Sequence, residues 1–101
     1  MMTDSKFLRL LGLCAGAGKV VSGEEAVRIA VKKRRAHLIV LDSQSAQETQ
    51  NKVRSLAQAA GIELVLMDAD IGKTVGHEGR KVAAVLDAGF AKALLKAHES
   101  V

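Results

Sequence analysis

A chain of 101 residues is long enough for one domain that buries roughly two-thirds of its unfolded surface. Only Phe7 and Phe90 are aromatic, and Trp, Tyr and Pro are absent, which argues against base stacking on a sheet face and calls for an aliphatic core. The formal charge of +4 and the single cysteine, Cys14, exclude intrachain disulfides and multi-cysteine zinc sites, and they hint at an anionic partner.

The charge is unevenly placed. Through Arg35 there are eight Lys/Arg against three acids, and the remainder of the chain has seven against eight. Asp4, Lys6 and Arg9 precede any long apolar segment, so the start resembles neither a signal peptide nor a membrane span. A reducing, cytoplasmic location is the expectation.

In chain order, Asp4 or Ser5 is placed to cap a first helix in which Phe7, Leu10, Leu11, Cys14 and Ala15 form one stripe. Cys14 reads there as a small core residue. Gly16 and Gly18 end the helix. The AGAGK run does not make a phosphate loop, because Leu13 stands at the first glycine position, Val20 follows Lys19, and a helix precedes the glycines. Val20 and Val21 make a brief strand. Ser22 and Glu25 then have the S-x-x-E spacing of a capping box for a second helix running to about Arg34. Ala26, Val27, Ala30 and Val31 form its apolar stripe, and Arg28, Lys32 and Arg35 fall on another face.

His37–Leu41 is a continuous apolar run, the pattern of a strand buried on both faces. A third helix begins near Ser45, carries Thr49, Val53, Leu56, Ala57 and Ala60, and stops at Gly61. Ile62–Met67 is the next strand; Asp68 or Asp70 caps a short helical turn, and residues 76–79 form a loop. Val82–Leu86 reads as a buried strand, and Asp87 caps a last helix with Phe90, Ala91, Leu94 and Leu95 inward. The order α-β-α-β-α-β-α-β-α with short connections predicts one α/β domain over residues 1–101, a mixed sheet with helices on both faces.

No catalytic set emerges. His37, His77 and His98 lack metal-ligand spacing and an evident carboxylate partner. Asp42 ends LIVLD as a receiver phospho-acceptor would, but no acidic pair follows the first strand, so a turn role is expected. An enzyme is not expected, nor is a metal, cofactor, membrane or small-molecule substrate.

The runs GLCAGAGKVVSGEEAVRIAVKKRRAHLIVLDSQSA and IGKTVGHEGRKVAAVLDAGFAKAL resemble the L-seven-Ae/L-thirty-e ribosomal-protein superfamily, especially its small bacterial YlxQ-type branch. The resemblance spans nearly the whole chain and implies a three-layer α-β-α sandwich with a central mixed four-stranded sheet. It also implies binding to kink-turn RNA, which bends on tandem sheared G·A pairs. The family motif G-[TA]-N-E-x-x-K at the start of the second helix falls on Ser22, Gly23, Glu24, Glu25 and Arg28. A second family contact falls on the loop of His77, Glu78, Gly79 and Arg80, with Lys81 beside it.

Glu24 replaces the motif Asn. An ionised carboxylate accepts hydrogen bonds from amino groups but donates none. Arg28 for Lys keeps the charge and adds a planar fork able to grip guanine or phosphate. His77 and Glu78 occupy a place where the family has an apolar residue. These residues, with Lys19 and Lys32 neutralising phosphate, make the expected RNA-binding set. The expected partner is structured RNA, ribosomal or another kink-turn RNA, together with the ribosome or ribosomal proteins. The alternative is a non-catalytic protein-interaction scaffold that keeps the fold without specific RNA recognition.

Overall fold

A strand such as LIVLD, apolar on both sides, needs a hydrophobic layer above and another below. The computed structural model, which describes residues 2–99 and their side chains from residue 5, supplies both. The elements follow as α1 (Met2–Gly16), β1 (Val20–Ser22), α2 (Glu24–Lys32), β2 (Leu38–Asp42), α3 (Gln47–Ala60), β3 (Leu64–Met67), α4 (Ile71–Val75), β4 (Val82–Val85) and α5 (Ala88–Glu99). The four strands form one mixed sheet in the order β1-β4-β2-β3. β4 runs antiparallel to both its neighbours, whereas β2 and β3, joined through α3, are parallel.

Strand alternation divides the core. Leu38, Val40, Ala83 and Val85 point to the layer of α1, α4 and α5, packed with Phe7, Leu11, Ile71 and Leu94. Ile39, Leu41, Val82 and Ala84 point to α2 and α3, packed with Val27, Ala30, Val31, Val53 and Ala57. The expected α-β-α sandwich is therefore present, and its interior is aliphatic apart from Phe7 and the partly buried Phe90. Phe7 is buried against the first layer with its ring edge-on to His98, 6.0 Å between centroids.

Several element ends differ from expectation for local reasons. α1 already has helical backbone from Met2, so Ser5 lies inside it, and the side chain of Asp4 lies outside the described residues. α2 stops at Lys32 because Arg34 adopts a left-handed φ of 58°, and the Arg34 and Arg35 N–H groups close back onto Val31 and Ala30. Arg35 thus leaves the helical face it was expected to share with Arg28 and Lys32. α3 starts at Gln47 rather than Ser45, whose hydroxyl donates to the Asp42 carbonyl at 2.6 Å. β3 starts two residues late since the Ile62 N–H closes α3 by donating to Ala57. Ala60 is exposed rather than inward. Two expected caps are in place: Asp70 accepts from the Lys73 N–H at 3.1 Å, and Asp87 from the Phe90 N–H at 2.8 Å.

Candidate nucleic-acid interface

The sequence-expected residues at the start of α2 and in the loop before β4 meet at one end of the sheet. Ser22 is the last residue of β1 and pairs with Ala83. Gly23 then donates its N–H to the Val82 carbonyl at 2.8 Å and turns the chain into α2 with φ 95° and ψ 151°. That φ suits glycine because a Cβ there crowds the backbone.

The capping box does not form. Gly23, not Ser22, is the N-cap, and no side chain caps α2. Ser22 is held in the ladder one residue too early to reach the third helical N–H. Glu25 instead turns along the helix to Arg28, which donates to it from Nη2 at 2.6 Å and Nε at 3.2 Å. The guanidinium holds the Glu25 carboxyl below its ordinary range and is itself raised by that partner. Glu24 is exposed and accepts from Thr49 Oγ1 of α3 at 3.2 Å.

The loop is built on α4. Gly76 ends that helix with φ 84°, the His77 N–H donates to the Gly72 carbonyl at 2.8 Å, and the Arg80 N–H donates to the His77 carbonyl at 3.2 Å. Gly72 lies directly beneath: a Cβ on it would stand 2.6 Å from the His77 carbonyl oxygen and 2.8 Å from the Arg80 nitrogen. From this seat Arg80 reaches across the sheet end and donates from Nη1 to the Ser22 carbonyl at 3.2 Å. Its guanidinium lies over Gly23, where a Cβ would come within 2.1 Å of Nη1. Lys81 is anchored on the other side, with Nζ 3.8 Å from Asp42 Oδ2 and its carbonyl accepting from the Asp42 N–H. Asp42, buried at the end of β2, also accepts from the Gln44 N–H at 2.8 Å, the turn role expected of it.

The result is an open groove of about 240 Å³ floored by Gly23 and walled by Glu24, Thr49, Gly79, Arg80 and Lys81. Ser22, Gly23, Glu24, Gly79 and Arg80 converge there. His77 and Glu78 stand exposed on the same loop. Arg28 lies one turn along α2, about 6 Å away, beside Glu25. Lys19 and Lys32 are not gathered in. Lys19 precedes β1 at its opposite end, where its carbonyl accepts from Leu86, and Lys32 closes α2 about 12 Å from Glu24. Sequence reasoning missed Thr49 and Gly72 as parts of the site. Thr49 could have been noticed as a hydroxyl within an apolar stripe, whereas nothing local marks Gly72.

Among the described residues, no group of three or more His, Cys, Asp or Glu is placed to hold a metal ion, and no helix is long and apolar enough to cross a membrane.

Comparison with known proteins agrees with this architecture. The RNA-binding protein YlxQ of Bacillus subtilis (strain 168) is 34% identical over 96 residues, covering 93% of this chain and 96% of its own. The RNA-binding protein YlxQ of Enterococcus faecium is 31% identical over 90 residues, covering 86% and 85%. A solved structure of a Bacillus halodurans C protein of unknown function superposes with a TM-score of 0.87 at 31% identity, over 93% of this chain and 97% of that one. The Giardia lamblia 15.5kD RNA binding protein, 15% identical, shares the fold with a TM-score of 0.81 over 100% and 92%. The model of the ribosomal protein L7Ae/L30e/S12e/Gadd45 family matches residues 5–95, and the chain belongs to that family.

Proposed function

We propose that this protein is a non-enzymatic RNA-binding domain that grips a kinked, kink-turn-like element of a structured RNA. The RNA is ribosomal or ribosome-associated, and the site of action is the cytoplasm. The observation that carries this reading is the seating of Arg80 over Gly23. Two segments 58 residues apart are held together beside an open groove, with a guanidinium in its wall. The names of the two YlxQ relatives support RNA as the ligand.

In this reading the uncapped first turn of α2 offers backbone N–H donors. Ser22, Gly23, Glu24 and Glu25 face the sheared G·A pairs. Glu24, steadied by Thr49, accepts from base amino groups. Arg80, and Arg28 on exchanging Glu25 for the ligand, offer forks to guanine or phosphate, and His77, Glu78 and Gly79 meet the distorted strand from the loop. Lys19 and Lys32 meet backbone outside the groove, which makes affinity fall with salt.

Titration with a kink-turn RNA and with the same RNA lacking its G·A pairs tests the reading. Tighter binding to the intact element is expected. Equal, weak binding to both would remove kink-turn recognition, and partners that survive RNase in a pull-down would favour a protein scaffold instead.

A further inference from the structure

The most concentrated charge on the molecule lies outside the groove. Lys32, Lys33, Arg34 and Arg35 are consecutive and exposed at the C-terminal end of α2. Among the described residues the ion pairs join Arg28 to Glu25, Lys52 to Glu48 and Lys81 to Asp42, and none neutralises these four. Cations complement a helix C-terminus, so some positive charge here needs no partner. The backbone of Arg34 is harder to account for in that way. It sits just past the helix end at φ 58°, a position that glycine or asparagine fills without strain. A helix stop alone would be met better by either.

The seam between α2 and α3 connects this basic end to the groove. A first open section lies among Glu24, Arg28, Lys52 and Leu56. The next lies among Val31, Lys32, Leu56 and Ala59. The last opens around Lys32, Arg34, Ala36 and Ala60. Successive sections share Leu56 and Lys32, and Glu24 joins the first to the groove beside Arg80. The furrow thus follows α2 from Glu24 to Lys32, about 12 Å, the length of three to four nucleotides stacked at ~3.4 Å each. Charge along it is graded. In the first half Glu25 pairs with Arg28 and Glu48 with Lys52, while Glu24 adds a further carboxylate; cations without a carboxylate partner lie only at the far end.

We infer that the α2–α3 seam is a track for one RNA strand leaving the groove, with Lys32 and Arg34 closing on its phosphates. The inference rests on the RNA reading above and extends its footprint by one helix length. The contacts are to backbone and independent of sequence. Phe7 and Phe90, the chain's aromatics, belong to the opposite layer, so bases on the track have no ring to stack on.

Two kink-turn RNAs, one ending at the kink and one carrying four further nucleotides on the exiting strand, separate the possibilities. Wild type should bind the extended RNA more tightly and with a steeper log–log salt dependence. Arg34→Gly removes the charge and relieves the left-handed strain, so it should melt higher than wild type. It should nevertheless lose affinity for the extended RNA, with the salt slope falling by about one unit. Lys32→Gln should lower the same slope by a similar amount. A higher Tm for Arg34→Gly with affinity and slope unchanged on both RNAs would reduce the cluster to a helix-end charge and overturn the track. Wild type binding neither RNA would overturn both the track and the function proposed above.

Discussion

In the proposed RNA reading, Glu24 is the side chain that decides what the first turn of α2 recognises. It is exposed, its carboxylate already accepts from Thr49, and an ionised carboxylate donates no hydrogen bond. Glu24→Asn shortens the side chain by one methylene and exchanges the carboxylate for an amide, whose nitrogen gains the ability to donate to base acceptors. Affinity for kink-turn RNA should rise several-fold by titration; a loss would show that the carboxylate has an acceptor role of its own. Gly23 poses the complementary question. Gly23→Ala places a methyl against the Arg80 guanidinium and forces an L residue to φ 95°. The terminal guanidinium can swing away, but the backbone cannot, so a loss of about 1–2 kcal/mol in a denaturant melt is expected. RNA affinity should fall with it as Arg80 leaves its seat. Both residues were legible in the sequence from their place in the motif. The capping box was not, because S-x-x-E spacing is local while the ladder that holds Ser22 in β1 is formed with a strand sixty residues later.

At the level of elements, α4 is the device that positions the loop. It is a five-residue helix, too short to be stable alone, and it is held by Asp70 at one end and Gly76 at the other. Gly72 lets the 77–80 backbone lie directly on it. Gly72→Ala meets peptide atoms of His77 and Arg80 rather than a side-chain tip, so the loop itself has to move. A destabilisation of about 1–3 kcal/mol is expected, with a drop in RNA affinity larger than that of an equally destabilising core variant. Unchanged affinity in the folded variant would detach the loop from the site. Turn residues such as Asp42, Asp70 and Asp87 were readable because their bonds span two or three residues. Helix and strand ends moved wherever a neighbouring turn captured an N–H, as Ile62 closes α3 instead of opening β3.

Across the whole molecule the two aliphatic layers decide how the interior responds to charge. Cys14 is fully buried, and its thiol donates weakly to the Lys19 carbonyl at 3.7 Å. Burial, with the Asp87 carboxylate adding and Lys19 opposing, pushes the thiol up from 9.0 to about 11. The folded state therefore binds this proton more tightly than the unfolded chain does. Its contribution to stability is complete below pH ~9 and is lost as pH rises through about 11. Unfolding curves between pH 8 and 11 should show that decline in wild type and a shallower one in Cys14→Ala; equal slopes would place the titration elsewhere.

The order of helices and strands and the aliphatic character of the core were determined by the sequence alone, since periodicity and turn chemistry act over a few residues. The placing of β4 between β1 and β2 was decided only by the tertiary structure. With it came the reach of Arg80 to Ser22 and the seam that joins Glu24 to Arg34. Each depends on contacts between distant segments, whose geometry is set when both faces of the sheet are covered and not by any local preference.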